Sequence, residues 1–432
     1  MTAGRAPFHS LVLAQDFPWP TGSGSMLRLD AVVRALARLG PVDLLSTVER
    51  SRALPTELPA SAPVARSEVA FYTRRPLGLA RKARCLVSGE PLEVAARREP
   101  GLPTVLQRWA RPAYDFVWVS KGTTFEIFGR PRLGPTAVDL DDLEDQKIRA
   151  RVQSPAFAEQ YPEGAAGRVH SHLARLQAYV DAARWASLQR RIASAVAAVV
   201  LCSELDTQRM GVANAVIVPN GYQPPGRPVG RQEVSAQPTV LFQGLLSYAP
   251  NTDAARWLAE DIAPRLQQLN PAAQVRLVGE VRPAQRRLHS PPLVTVTDRV
   301  PDIVPELERA DVVAVPIRFG SGTRVKILEA FAHRIPVVST TLGAEGLGAR
   351  DGEHLLLADT AADFAAACAR LLVDTALRGR LAANAQRLFL DRYTWALAEE
   401  VILGLAGGHH PPGEGPAASP AGAETGHPAR RS

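Results

Sequence analysis

Short apolar runs alternate along most of the chain with stretches in which apolar positions recur every three or four residues. The first kind of segment reads as a buried strand and the second as one face of a helix. A run at Leu11 to Ala14 precedes a helical pattern through Met26, Leu29, Val33, Leu36 and Leu39 that stops at Gly40, and a second run follows at Val42 to Ser46. Further strands are expected at Phe116 to Ser120, Thr136 to Leu140 and Ala197 to Cys202, with a long helix from about His170 to Ser194 before the last. Parallel strands need covering crossovers, so this alternation predicts an α/β half with a doubly wound parallel sheet.

The pattern breaks at Pro219-Asn220-Gly221-Tyr222-Gln223-Pro224-Pro225, and turn formers continue to Pro238. It then restarts. Strands are expected at Thr239 to Gln243, Val275 to Gly279, Leu293 to Val296, Val312 to Ile317 and Pro336 to Thr340. Helices are expected from Thr252, over Arg324 to Arg334, over Ala361 to Val373, and from Leu377 through Trp395 to about Leu405. The predicted organisation is a first domain at 1–218, a linker at 219–238 and a second domain at 239–390. A C-terminal helix at 391–406 is expected to pack back on the first domain, and the Gly-, Pro- and Ala-rich tail at 407–432 to be disordered. Two Rossmann-like sheets joined in this way leave a cleft between the carboxyl ends of their strands, where open α/β sheets bind ligands.

The 432 residues are 46% hydrophobic and 22% charged, which excludes intrinsic disorder for the bulk of the chain. The net charge of +7 comes from 46 Arg and only four Lys, and no basic segment interleaved with aromatics accompanies it, so nucleic acid is not expected as a partner. No apolar window is long enough to span a membrane, and Cys85, Cys202 and Cys368 lie far apart without a CxxC pair. Both features suit a cytoplasmic protein.

The densest chemistry lies at Pro316-Ile317-Arg318-Phe319-Gly320-Ser321-Gly322-Thr323-Arg324-Val325-Lys326-Ile327-Leu328-Glu329-Ala330. A strand running into a Gly-Ser-Gly-Thr turn and then a helix offers backbone N–H groups to an anion, phosphate above all. Arg324 and Lys326 sit in the first turn, where they oppose the helix dipole unless an anion compensates them; otherwise they are two solvated cations. Glu329, one turn on, suits the hydroxyls of a nucleotide ribose or an ion pair with Lys326. In the first half, Gly22, Ser23 and Gly24 follow the first strand as a structural turn or a ligand loop. Asp139, Asp141 and Asp142 end a strand, where they could cap a helix, hold a divalent cation or orient an acceptor hydroxyl. Arg74, Arg75, Arg81, Lys82 and Arg84, interleaved with Leu77, Leu79 and Leu86, form either a solvated face or a contact for anionic lipid headgroups.

From Val218-Pro219-Asn220-Gly221 onward the motifs fall in a familiar order: Phe242-Gln243-Gly244 with Pro250-Asn251, then Arg299-Val300-Pro301-Asp302, the Gly320 to Ala330 segment, Pro336-Val337-Val338-Ser339-Thr340, and Gly343-Ala344-Glu345-Gly346. Over roughly residues 197–400 the chain resembles GT-B glycosyltransferases of the retaining GT4 family, notably the exopolysaccharide branch. The resemblance implies a nucleotide-diphosphate sugar bound to the second half and an acceptor, whether glycan, lipid-linked or small molecule, on the first. It implies that Glu329 holds the ribose, that Arg324 and Lys326 face the diphosphate, and that Gly320, Ser321, Gly322 and Thr323 line it. Gly244 would then allow close backbone approach, Val300 would meet the base through its main chain, and Gly22, Ser23 and Gly24 would face the transferred group. Asp139 or Asp142 would orient the acceptor hydroxyl, and neither cofactor nor metal is expected. Two departures stand out: Ser321 occupies the place of the first carboxylate of the family's E-x7-E motif, and the cation pair that many relatives carry after the first strand of this half is absent from Gly244-Leu245-Leu246-Ser247-Tyr248. A GT-B protein that binds nucleotide sugar without turnover, and a sugar-nucleotide epimerase on the same fold, are the competing readings.

Overall fold

The computed structural model describes residues 7–20, 23–51, 58–154, 157, 165–231, 233–320 and 325–408. Two sheets, every strand pairing parallel to its neighbours, carry the chain. The first contains β1 (Ser10–Ala14), β2 (Val42–Glu49), β3 (Arg66–Tyr72), β4 (Phe116–Ser120), β5 (Thr136–Asp141), β6 (Ala198–Leu201) and β7 (Ala215–Ile217), in the order β3-β2-β1-β4-β5-β6-β7. The second contains β8 (Thr239–Gln243), β9 (Gln274–Val278), β10 (Val294–Thr297), β11 (Val312–Val315), β12 (Val337–Ser339) and β13 (Leu356–Leu357), in the order β10-β9-β8-β11-β12-β13. Each order reverses once, between β1 and β4 and between β8 and β11. These are the switch points at which diverging crossovers open a crevice.

Central strands such as β1 (SLVLA), β8 (TVLFQ) and β11 (VVAV) are buried throughout, as strands covered on both faces by helices must be. β3 alternates exposed and buried positions because it is an edge, and β7 and β13 are only three and two residues long. None of these three is a run in the expected pattern. The helix expected to continue through Trp395 instead breaks at Tyr393-Thr394, where the Thr394 side chain caps a new helix, Trp395–Ala406.

Trp395, Ala398, Ile402 and Leu405 of that last helix share a core with Leu29, Val33 and Leu36 of helix Gly24–Ala37 and with Val12 of β1, so the chain returns to the first sheet. The two crossings between halves run side by side: Tyr222 N–H donates to the Tyr393 carbonyl at 2.9 Å. Across the cleft, Arg209 grips Glu345 through two bonds of 2.7 and 3.1 Å, while the Tyr393 hydroxyl donates to the Leu347 carbonyl at 2.7 Å within the core of the second half.

Candidate active site

At the β8–β11 switch point, β8 ends at Gln243 and Gly244 follows it. Gly244 has φ +139°, and Gly279, at the end of β9, has φ +143°. A Cβ on Gly279 would lie 1.7 Å from the Gly244 carbonyl, and one on Gly244 would lie 3.3 Å from the Lys326 Nζ. Neither position tolerates a side chain, so the backbone of β8 turns within reach of the helix Val325–Ala332. Lys326 Nζ donates to Asn251 Oδ1 at 2.8 Å and stands 4.2 Å above the Phe242 ring centroid. Asn251 is itself oriented by its amide bond to the Leu245 carbonyl at 2.9 Å.

Glu329 faces the same space. Its carboxylate accepts from Gln243 Nε2 at 3.2 Å. Burial pushes the carboxyl up to about 7, against the opposing pull of the Gln243 hydrogen bond and the Lys326 charge. Gln243 Oε1 is buried and, among the described residues, has no hydrogen-bond partner. A carboxyl raised by burial, beside an amide oxygen that has no donor among the described residues, marks this space as a candidate site. Tyr222, on the first crossing, lies near enough that burial and the Glu329 charge both raise its hydroxyl pKa; nothing in its linker motif marked it. Val300 lies between β10 and helix Val304–Arg309, half-buried against the second core. Gly320 is buried with φ +109° at the end of the loop after β11. Ser321, Gly322, Thr323 and Arg324 lie outside the described residues, as does Gly22.

Opposite this group stands the amino end of helix Gly24–Ala37. Ser23 caps it, accepting from Met26 N–H, and a Cβ on Gly24 would lie 3.1 Å from Val325 Cγ2. The starts of two helices from the two halves therefore meet across the cleft.

The first half's own strand ends are arranged differently. Arg28, only 3% exposed, donates through Nε and Nη2 to both oxygens of Asp139 at 2.8 and 2.9 Å. Its remaining amine donates to the Val218 carbonyl at 2.8 Å and to Asn220 Oδ1 at 3.2 Å, tying the helix to the start of the linker. Asn220 in turn donates to Asp141 at 3.0 Å. Lys121 pairs with Asp141 at 3.0 Å, and Lys147 pairs with Asp142 and, at 2.9 Å, with Glu144. Burial disfavours the charge on Lys121, but Asp141, Asp142 and Glu144 outweigh it and the ammonium is pushed up to about 12. The Asp141 carboxyl is likewise held well below the usual carboxylate range: burial opposes its charge, and Lys121, Arg28 and Lys147 overcome that penalty. Lys121 and Asp141 both adopt positive φ, +72° and +64°, a strain sustained by this network.

The expected roles of these aspartates change accordingly. Asp139 turns both oxygens into the protein, toward Arg28, and Asp142 is 6% exposed beside two lysines. Neither Asp141 nor Asp142 caps a helix, since Leu143 precedes helix Glu144–Gln153 without a side-chain cap. Among the described residues no three His, Cys, Asp or Glu side chains gather as a metal site.

Residues 237–374 match the family model described as Glycosyl transferases group 1. No curated protein matches the chain. Solved structures match over nearly its whole length at low identity. The sucrose-phosphate synthase of Thermosynechococcus elongatus superposes with a TM-score of 0.63 at 15% identity, covering 91% of this chain and 96% of its own. Anabaena HepE, crystallised with UDP and glucose, gives 0.57 at 15% identity over 91% and 97%. WaaG, a glycosyltransferase involved in lipopolysaccharide biosynthesis, gives 0.59 at 14% identity over 91% and 98%. The chain thus has the GT-B fold, and within its second half residues 237–374 match the glycosyl transferases group 1 model.

Proposed function

We propose that the protein is a retaining glycosyltransferase that moves a sugar from a nucleotide-diphosphate donor to an acceptor hydroxyl in polysaccharide or glycoconjugate synthesis, without a metal. The observation that carries the reading is the group at the end of β8: Gly244 backbone bared beside the Lys326 ammonium, with Glu329 and Gln243 one helical turn further in. That spacing suits a diphosphate at Gly244 and Lys326 and a ribose diol at Glu329, beside a Gln243 amide oxygen that has no donor among the described residues.

As the bond from the sugar to the diphosphate breaks, negative charge grows on the leaving oxygens and the sugar takes on oxocarbenium character. Lys326 stabilises that charge from its fixed position against Asn251 and Phe242. Arg324, two residues earlier in the chain, supplies the second cation in this reading, and the glycines of the 320–323 segment and Val300 line the donor. The acceptor lies along Gly22, Ser23 and Gly24. Its hydroxyl proton passes to the departing phosphate oxygen, because the first half's carboxylates are already engaged by Arg28, Lys121 and Lys147. Asp139 is then a positioning residue: through Arg28 it fixes the helix that presents the acceptor loop.

The test is release of nucleoside diphosphate from a panel of nucleotide sugars with and without an acceptor pool, followed by determination of the product anomer. Acceptor-dependent release with the donor's anomeric configuration is expected. Donor consumption without acceptor, yielding an isomeric sugar, would mean an epimerase; tight donor binding with no turnover would mean a binding protein.

A further inference from the structure

Helix Leu79–Ser88 buries only one side chain, Cys85. Leu79, Leu86 and Val87 are 86%, 67% and 92% exposed, an unusual condition for three aliphatic residues on ten positions. At about 100° per residue they fall, with Ala83, on the side roughly opposite Cys85, and Lys82 and Arg84 flank them. The apolar face thus points straight away from the protein between two cations. A helix this short has little stability of its own, so its face wants a partner.

The neighbouring surface repeats the theme. Helix Ala165–Ala193 anchors its last turns in the first core through Trp185, Leu188 and Ile192. Its 29 residues span about 43 Å, more than twice the strands beside it, so its first half reaches past the carboxyl edge of the sheet. There Val169, Leu173, Leu176 and Val180 are exposed at spacings of four, three and four. Leu92 N–H, on the helix that follows Leu79–Ser88, donates to Asp181 at 3.0 Å, which sets the two surfaces next to each other. Residues 74–89 and 165–180 together hold seven Arg or Lys and no Asp or Glu. Arg74 and Arg75 are paired with Glu93 and Glu99, which leaves the helix cations at the rim of the apolar patch.

We infer that this face of the first half seats on an anionic lipid surface, with the Leu79, Leu86 and Val87 side chains entering the headgroup boundary and Lys82 and Arg84 meeting the lipid charges. Exposed leucines alone would fit another protein equally; Lys82 and Arg84 flanking the apolar face of a helix that carries no carboxylate of its own select an anionic interface. No helix among the described residues is long and apolar enough to cross a membrane, so the contact is peripheral.

The experiment is flotation of the full chain with vesicles of phosphatidylcholine alone and of equimolar phosphatidylcholine and phosphatidylglycerol, at about 50 and about 500 mM salt. Wild type should float with the anionic vesicles at low salt and lose most binding at high salt or on neutral vesicles. Leu79→Ser with Leu86→Ser and Val87→Ser should weaken binding tenfold or more. Lys82→Ser with Arg84→Ser should do the same, since each cation near such a surface multiplies partitioning about fivefold. Leu269→Ser with Val373→Ser, exposed in the second half, should change nothing. Unchanged thermal melts verify that each variant folds. Equal binding to both vesicle types, no flotation, or variants that float like wild type would overturn the inference. So would self-association that the leucine substitutions abolish without any vesicle binding, because the face would then meet a second copy. Donor binding is measured without lipid, so failure here leaves the proposed activity standing.

Discussion

The carboxyl ends of the two sheets use charge in opposite ways. In the first half Arg28, Lys121 and Lys147 meet Asp139, Asp141 and Asp142 within the protein, and the linker residue Asn220 is drawn into the same network. In the second half burial pushes the Glu329 carboxyl up to about 7 and, among the described residues, Gln243 Oε1 has no donor. A network complete in itself fixes geometry; an incomplete one is available to a ligand. Charges paired within the protein therefore hold structure and those left facing the cleft serve chemistry, although both clusters lie at strand ends.

The largest expected effect of breaking this distinction is on the first network. Arg28→Ala leaves Asp139 buried and unpaired, which should cost about 3–5 kcal/mol and lower the melting temperature by many degrees. Arg28→Met combined with Asp139→Leu should recover most of that loss, and recovery of stability without recovery of turnover would separate folding from positioning. Lys326→Met should behave in the reverse manner. Turnover should fall roughly 10²–10³-fold, with the melting temperature changed little, because its partners Asn251 and Phe242 are held by other contacts.

Gly279→Ala acts on the second cluster through the backbone. The added methyl would meet the Gly244 carbonyl at 1.7 Å, so β8 must shift. A loss of about 1–3 kcal/mol in stability is expected, together with weaker nucleotide binding, read by denaturant melts and titration on the same preparation. The last effect, at Glu329, is confined to high pH. Its folded carboxyl titrates at about 7, above the ordinary value of 4.5, so the folded state holds the proton more tightly and stability falls as pH rises from 4.5 through 7. Glu329→Gln should therefore stabilise the ligand-free protein at pH 8, by on the order of 1–3 kcal/mol, and the gain should fade toward pH 5.

Much of this was legible in the sequence. The buried central strands appear as apolar runs, and Lys326 and Glu329 stand out because a strand, a turn and a helix follow one another with cations where a helix start disfavours them, whereas Gly244 is marked only by the family resemblance. The edge strands β3, β7 and β13 did not, since an edge buries one face or spans too few residues to make a run. Arg28 was not singled out either. It sits beside Leu29 and four residues before Val32 on the buried face of its helix, and a charge inside an apolar stripe was the available signal. Its partner Asp139 is 111 positions away, and only the parallel pairing of β1 with β4 and β4 with β5 brings them together. Without that pairing, three aspartates at a strand end look like catalytic groups, whereas the fold gives them to cations.

In the proposed function the cluster at the end of β8 receives a nucleoside diphosphate. Calorimetric titration of UDP, GDP, ADP and dTDP, first without metal and then with Mg²⁺, into wild type and Glu329→Ala tests it directly. One nucleotide should bind without metal, and the substitution should weaken it at least tenfold while Asp139→Asn, read in protein that remains folded, affects stability more than affinity. Binding of none of the four, or binding indifferent to Glu329, would contradict the account.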